Sequence, residues 1–377
     1  MGAVLAGGRI GLGVLGAMLG AVGLLAPWPA AGQGRCEAPV RVLVARSTGP
    51  VDVVVDGRRH VVAPSAGGVR VDRGRARSRW SPGPMQVGGI GGGRFGGRFE
   101  AFVHERALVV VNEVGLEEYV AGAIAGEMPT GWAEEALRAQ AVVSRTYALH
   151  QRDAHRDRAW HLEAGTRSQV YVGLEAPEPA QRAARDTRCQ VLTHDGMPIL
   201  AAFHSASGGH TASAGEVWGR DLDYLVGMPV TGEDDSPDTY WRAAISRPTL
   251  GRALGAAGHP IGEVVEAVVE ARTPSGRVRW IRFRGERGEV RLTGRQLRRA
   301  LGESTLRSTL FELRPHDDDF VFVGSGRGHG VGMSQWGARG LAERGATYRE
   351  ILEQFYPGAR LGAWTGSGTA GLRPPGR

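Results

Sequence analysis

The sequence predicts an α+β fold in which small β-rich regions pack around a helical core that carries the candidate catalytic residue. Three observations lead there. Residues 40–112 form short apolar or alternating segments separated by glycines and by Asp56-Gly57, the pattern of strands. Leu116 to His150 instead repeats its apolar residues at helical spacing. From 151 to 358 strand-like and helix-like segments mix.

The helical stretch reads as two helices with a short break. In the first, Leu116, Tyr119, Val120, Ala123 and Ile124 make one stripe. At about 100° per residue Glu127 falls on the same stripe. Pro129 ends the helix, because the residue before a proline is pushed out of the α region. A carboxylate therefore sits on the core-facing side of the last turn, where desolvation raises its pKa. Such a group suits proton donation near neutral pH. The competing reading is a helix-end glutamate that reaches solvent or pairs with an arginine. The second helix is expected after Thr130 or Gly131, with Thr130 as N-cap. Trp132, Ala136, Val143 and Tyr147 mark its stripe, with Gln140 inside it. Gln140, Ser144, Arg145 and Thr146 either line a cleft under Glu127 or bond locally; Ser144 favours the local role.

The chain has 377 residues and a formal charge of +7, so an anionic partner is expected. The arginines between 272 and 307 are scattered on a β pattern without interleaved aromatics, which argues against a nucleic-acid surface. Residues 1–32 read as a secretory signal or an uncleaved N-terminal anchor, with an apolar run from Ile10 to Ala26. Both place the remainder outside the cytoplasmic membrane. The two cysteines, Cys36 and Cys189, are far apart, and export permits a disulfide between them. Ser65 to Gly97 is expected to be loop-like, ending in the glycine-rich GGIGGGRFGG. After the helix pair, CQVLTHDGMPILAAFH is a hairpin turning at Asp195-Gly196. It delivers a polar loop, His204, Ser205, Ser207, Gly208, Gly209, His210 and Thr211, whose glycines allow close approach of a ligand. The acidic stretch GEDDSPDTYW at 232–241 is expected to be a solvated turn. A hairpin around Pro274-Ser275-Gly276 and a basic helix near its end follow. The strand FVFVG then leads through GSGRGHGVG into a helix near Met333 to Arg344. The glycines there fail the dinucleotide spacing and instead hold His329 near a cleft. The tail, 359–377, is expected to be disordered.

The runs GEMPTGWAEEALRAQAVVSRTYAL, FHSASGGHTASAGEVWG and GRGHGVGMSQWGARGLAERGATYREILEQFYPG resemble, in order, the motifs of the SpoIID/LytB family of stage II sporulation D and amidase-enhancer proteins. VVNEVGLEEYVAG also fits. The resemblance implies a SpoIID-like domain over 38–358, divided into a β-rich part at 40–112, the helix pair at 113–150 and an α+β remainder at 151–358. It implies a secreted peptidoglycan lytic transglycosylase that cuts MurNAc–GlcNAc strands, preferentially peptide-stripped, to 1,6-anhydro ends. Glu127 matches the family's proposed acid. Gln140, Arg145, His204, Ser207, Gly208, Gly209, His210, Thr211, His329, Ser334 and Gln335 would bind or position substrate. The alternative is a non-catalytic wall-binding enhancer of an N-acetylmuramoyl-L-alanine amidase. Some members hold zinc with Cys and His; this chain keeps His204 and His210 but has Ser205 and Ser207 in place of thiols. No cofactor and no metal are therefore expected, a structural zinc being the minor alternative.

Overall fold

The computed structural model describes residues 38–82, 84–90 and 92–365, without the side chains of 84–88. The expected signal or anchor over 1–32, the pairing of Cys36 with Cys189, and the tail from 366 lie outside the described residues. The chain opens with β1 (Pro39–Ser47), β2 (Val51–Val55), β3 (Arg58–Ser65), β4 (Gly68–Val71), β5 (Arg79–Trp80), β6 (Pro84–Ile90), β7 (Gly93–His104) and β8 (Ala107–Gly115). These belong to one nine-stranded sheet, with β8 and β1 adjacent and antiparallel. Val40, Val42, Phe99, Ala101, Leu108 and Val110 carry its buried face.

The loop expected over Ser65 to Gly97 is overturned, because β4, β5, β6 and the start of β7 occupy it. Its glycine-rich end is a tight hairpin in which Gly88 opposes Phe95, Gly89 opposes Arg94 and Ile90 opposes Gly93. Glycine contributes no side chain to an alternation pattern, yet its N–H and C=O pair like any other.

β8 runs directly into α1 (Leu116–Glu127), with Glu117 and Glu118 in its first turn, where acids suit the positive end of the helix dipole. Leu116, Tyr119, Val120, Ala123 and Ile124 are all buried, as their spacing requires. Met128 is extended ahead of Pro129, and the helix stops there. α2 (Glu134–Ala154) begins later than expected, with Ala133 rather than Thr130 at the N-cap. The backbone N–H of Trp132 donates to the Pro129 carbonyl at 3.1 Å, so Trp132 belongs to the turn and not to the helix stripe. β9 (Leu162–Glu163) joins the large sheet parallel to β1, and α3 (Glu178–Asp186) packs on α1 and α2.

One ion pair ties these helices together. Arg145 on α2 is fully buried, and its Nε and Nη2 donate to the Glu117 carboxylate at 2.9 and 2.6 Å. The same guanidinium donates to the carbonyls of Ala184 on α3 and Gln190. Arg145 is thus consumed inside the helix group and is not presented to a cleft, contrary to the binding role expected of it.

Next come β10 (Gln190–His194) and β11 (Met197–Pro198), joined at Asp195 and Gly196, whose φ values of 50° and 76° make the expected tight turn. β12 (Phe203–His204) and α4 (Ala214–Trp218) follow, α4 being closed by a Ser213–Glu216 capping box. A second hydrophobic core is then built by β13 (Trp241–Ser246), α5 (Arg247–Ala256), β14 (Val264–Arg272), β15 (Val278–Gly285), β16 (Gly288–Thr293), α6 (Gly294–Leu301), β17 (Phe311–His316) and β18 (Asp319–Gly324). Its two sheets have three strands each, ordered β13-β18-β17 and β14-β15-β16. The hairpin at Pro274-Ser275-Gly276 and the basic helix after β16 match expectation. The chain returns through β19 (Met333–Ser334), parallel to β12, then α7 (Gln335–Glu343) and α8 (Tyr348–Phe355), both of which pack on α2.

β20 (Arg360–Ala363) pairs with β10, so this part of the expected disordered tail is a strand. The fold is mixed α and β, with several sheets and helices. It has no separate helical core, since the helices share the largest hydrophobic cluster with the nine-stranded sheet.

Replacing Arg145 with Met should leave the Glu117 carboxylate without its partner and cost about 3 kcal/mol, the loss typical of breaking a buried ion pair. Urea unfolding at pH 7 reads this directly. An unchanged midpoint would return Arg145 to the binding residues.

Candidate functional site

Glu127 sits half-buried at the end of α1, facing the segment 168–173. That segment reaches the helix because α1 has glycines where it passes. A Cβ on Gly126 would overlap the Val170 carbonyl, and one on Gly122 would press within 2.7 Å of the Gly173 carbonyl and the Tyr171 ring. The approach lets the Val170 backbone N–H donate to Glu127 Oε1 at 2.5 Å. Among the described residues Oε2 makes no hydrogen bond. Burial raises the Glu127 pKa to about 7, against the smaller opposing effect of the Val170 N–H. No second carboxylate contributes to that shift. Tyr147 of α2 is close enough for the Glu127 charge to act on it, although burial is the main cause of its raised pKa. Beneath lies Gln169, fully buried, accepting from the Tyr119 hydroxyl at 2.9 Å and leaving its Nε2 without a protein partner.

The opposite wall comes from α7. Gln335 Nε2 donates to the Glu127 carbonyl at 3.1 Å and to Gln140 Oε1 at 3.4 Å. Gln140 in turn donates to Ser144 at 3.0 Å, the local bond expected of Ser144. The indoles of Trp132 and Trp336 meet with centroids 4.7 Å apart, and the Arg339 guanidinium lies over both. Of the expected residues, Glu127, Gln140 and Gln335 therefore come together.

A second group forms around a carboxylate that sequence reading assigned to a solvated turn. Glu233 is 7% exposed, and Ser236 and Asp238 of the same stretch are also buried, which corrects that expectation. Glu233 accepts from the Ser207 N–H and hydroxyl, both at 2.7 Å, from the Gly209 N–H at 2.9 Å, and from the Ser334 hydroxyl. A run of acids and a proline looks solvated by composition alone; its burial depends on donors far away in sequence. The two glycine loops also meet backbone to backbone: a Cβ on Gly208 would lie 2.7 Å from Ser325 Oγ, and one on Gly326 2.8 Å from the Ala206 carbonyl. Ser207, Gly208, Gly209 and Ser334 are thus joined, as a clamp between loops. Thr211 packs into the same structure, with its hydroxyl accepting from the Met228 N–H at 2.9 Å.

His204 and His329 come within 5.6 Å of each other, centroid to centroid. The buried His204 ring meets the Val331 carbonyl through Nδ1 at 3.2 Å, and His329 Nδ1 accepts from the Val331 N–H at 3.0 Å. Burial drives both pKa values down, that of His329 to about 4, so both rings are neutral at pH 7. His204 and His210 turn Nδ1 to backbone carbonyls, and Ser207 is held by Glu233. Among the described residues no group of three or more His, Cys, Asp or Glu is placed to hold a metal ion.

Comparison with known proteins agrees with the motif reading. A family model described as "Stage II sporulation protein" matches residues 104–194, and one described as a domain of unknown function matches 233–332. The chain is similar to "Stage II sporulation protein D" of Bacillus amyloliquefaciens, 32% identical over 267 residues, which is 67% of this chain and 75% of that protein. It is equally similar to an uncharacterized protein of Brachyspira hyodysenteriae, 32% identical over 256 residues, 67% of this chain and 68% of the other. A match to the "Amidase enhancer" of Bacillus subtilis strain 168 is 27% identical over 286 residues, 64% of this chain but only 40% of that longer protein. With the ordered motifs and relatives of this extent together, the chain belongs to the SpoIID/LytB family of stage II sporulation D and amidase-enhancer proteins.

Proposed function

We propose that this chain is a cell-wall protein acting outside the cytoplasmic membrane, and that its Glu127 cleft cleaves peptidoglycan glycan strands as a lytic transglycosylase. The observation that carries the reading is a lone carboxylate with a pKa of about 7 and one oxygen anchored by Val170. At neutral pH a large share of Glu127 holds a proton. That proton passes to the glycosidic oxygen as the MurNAc C1–O bond to GlcNAc breaks. The muramic 6-hydroxyl attacks C1, closing a 1,6-anhydro ring, and its proton returns to the Glu127 carboxylate. The step consumes no water and needs a single acid, whereas glycoside hydrolysis ordinarily uses two carboxylates. Gln335 fixes the end of α1 that carries the acid. Peptide-stripped strands are the preferred substrate, on family resemblance.

The second reading is an enhancer of an N-acetylmuramoyl-L-alanine amidase. The comparisons favour it, because one relative is named for amidase enhancement and none for glycan cleavage. Among the described residues no helix is long and apolar enough to cross a membrane. Extracytoplasmic placement rests on the family and the apolar N-terminal run.

Glu127→Gln should fold and bind glycan, while turnover falls by about a hundredfold or more. Mass analysis of peptide-stripped and intact strands should find anhydro-ended fragments with the wild type alone. Equal product from the variant would remove Glu127 from the chemistry. No product from either protein, together with stimulation of an added amidase, would establish the enhancer reading.

The pH dependence has a definite sign. A proton donor must start protonated, so activity should decline as pH rises through about 7. Stability follows the same group: the folded protein holds this proton more tightly than the unfolded chain, so ionisation opposes folding. Relative to Glu127→Gln, the wild type should lose stability from about pH 4.5 to about pH 7. Parallel unfolding curves of the two proteins across that window would contradict the raised pKa.

A further inference from the structure

A groove of about 970 Å³ lies between α4 on one side and β15 with α6 on the other, and neither Glu127 nor Trp132, Gln335 or Trp336 lines it. We infer that this groove is a binding site for acidic saccharides, sugars that carry carboxylates, with Arg279 and Arg299 as the mobile cationic contacts and Trp218 as the stacking face.

The groove is preformed. Arg295 Nη1 of α6 donates to the Val217 carbonyl at 2.5 Å, tying the walls together. Ser275 donates its N–H and hydroxyl to the Glu216 carboxylate at 3.1 and 2.5 Å, which fixes the β14–β15 turn against α4. A rigid cleft binds without the cost of ordering loops.

Its available charge is positive. Five arginines line it against three carboxylates. Two of the three carboxylates are engaged, Glu216 by Ser275 and its own capping box and Glu303 by Arg298 at 3.1 Å, while Asp221 is exposed and makes no hydrogen bond or ion pair among the described residues. Arg279 and Arg299 are exposed and make no hydrogen bond or ion pair among the described residues. At the floor lies Arg277, 2% exposed. Its Nη atoms donate to the carbonyls of His210 and Ser207 at 2.9 and 2.8 Å, and its Nε has no partner among the described residues. The carboxylates of Glu216 and Glu233 already act on this buried cation, so Arg277 fixes the floor while the exposed Arg279 and Arg299 supply the open charge. Gly330 makes room for the Arg277 guanidinium itself, since a Cβ there would overlap it. His329, also lining the groove, has its pKa lowered chiefly by burial and further by Arg298, Arg277 and Arg295, which reports the sign of the local field.

The remaining features select a sugar. Trp218 is among the exposed large hydrophobics at 36%, set against the His329 ring at 5.5 Å. Trp280, across the groove, has Arg291 stacked on it at 4.4 Å. One open indole with flanking guanidinium groups suits a sugar ring bearing a carboxylate, whereas single-stranded nucleic acid needs successive aromatic platforms. A phosphate would favour the N-terminus of α6, which opens here, but the Thr293–Gln296 capping box already occupies it. Arginine forks pair with carboxylates and phosphates alike, so a phosphate oligomer is an arm of the test.

The inference does not depend on the role of Glu127, and the test keeps the two apart. Isothermal titration of the full chain with tetragalacturonate should show binding that weakens as salt rises; a glycerol-phosphate oligomer should bind more weakly, and chitotetraose, which the Glu127 cleft would take, should bind without dependence on Arg279 and Arg299. The double variant Arg279→Glu/Arg299→Glu should lose about tenfold or more in affinity with an unchanged melting temperature. Trp218→Ala should also weaken binding, and Glu127→Gln should leave it unaltered. An equal loss of chitotetraose binding in the double variant, tighter binding of the phosphate oligomer, or full affinity for tetragalacturonate in the double variant would each overturn the assignment.

Discussion

The environment of Glu127 depends on how closely one extended segment approaches one helix. Gly122 and Gly126 lie a turn apart on α1, and residues 170–173 pass over them where side chains would collide. The same segment is stitched to the large sheet, with the Leu174 N–H donating to the Arg94 carbonyl at 2.7 Å. Tyr171 stacks between Phe95 of β7 and Tyr119 of α1, at 5.6 and 5.0 Å. Sheet, segment and helix therefore fix one another. For the carboxylate this has two opposed effects. Excluding water favours the protonated form, and the Val170 N–H favours the ionised one. Burial is the larger effect, and the pKa settles near 7. A looser contact would hydrate the group and return it toward an ordinary glutamate.

Elements defined by their own side-chain periodicity were legible from sequence. The stripe of α1, the stop at Pro129, the Asp195-Gly196 hairpin and the strand before the last glycine loop all follow from local rules. Elements defined by backbone pairing alone were not. The hairpin of β6 and β7 hides behind glycines, and β20 acquires its identity only from β10. The start of α2 was misplaced because Thr130 is a good capping residue by type, while the backbone turn through Trp132 delays the helix to Glu134.

The candidate site divides the same way. Glu127 was found because its angle on the helix is local information. Val170 and Tyr147 carry no local signal that marks them as its neighbours. Glu233 lay in a stretch whose composition suggested solvent, yet its donors come from positions 207, 209 and 334. Arg145 illustrates the opposite error. A polar residue on a small-residue face resembles a binding group in sequence, but its partner Glu117 lies 28 residues earlier and the buried Arg145 is spent on tying the helices together.

The run from Gly328 to Trp336 connects the arginine groove to the Glu127 cleft. Gly328 and His329 line the groove, while Gln335 and Trp336 stand against the acid and Trp132. Between them Val331 is buried and held by both histidines, Met333 and Ser334 pair with β12, and Ser334 is fastened to Glu233. Few of these bonds can stretch without exposing a buried polar group, so the spacing of groove and cleft is fixed. Fixed spacing lets a polymer held at one place be presented at the other in a constant orientation, and orientation accounts for much of any gain in the reactivity of a bound strand. The same rigidity would serve an enhancer, which has to hold wall material in one pose for another protein. What separates the two uses is the protonation of Glu127, since gripping a strand has no need of a carboxylate held near neutrality.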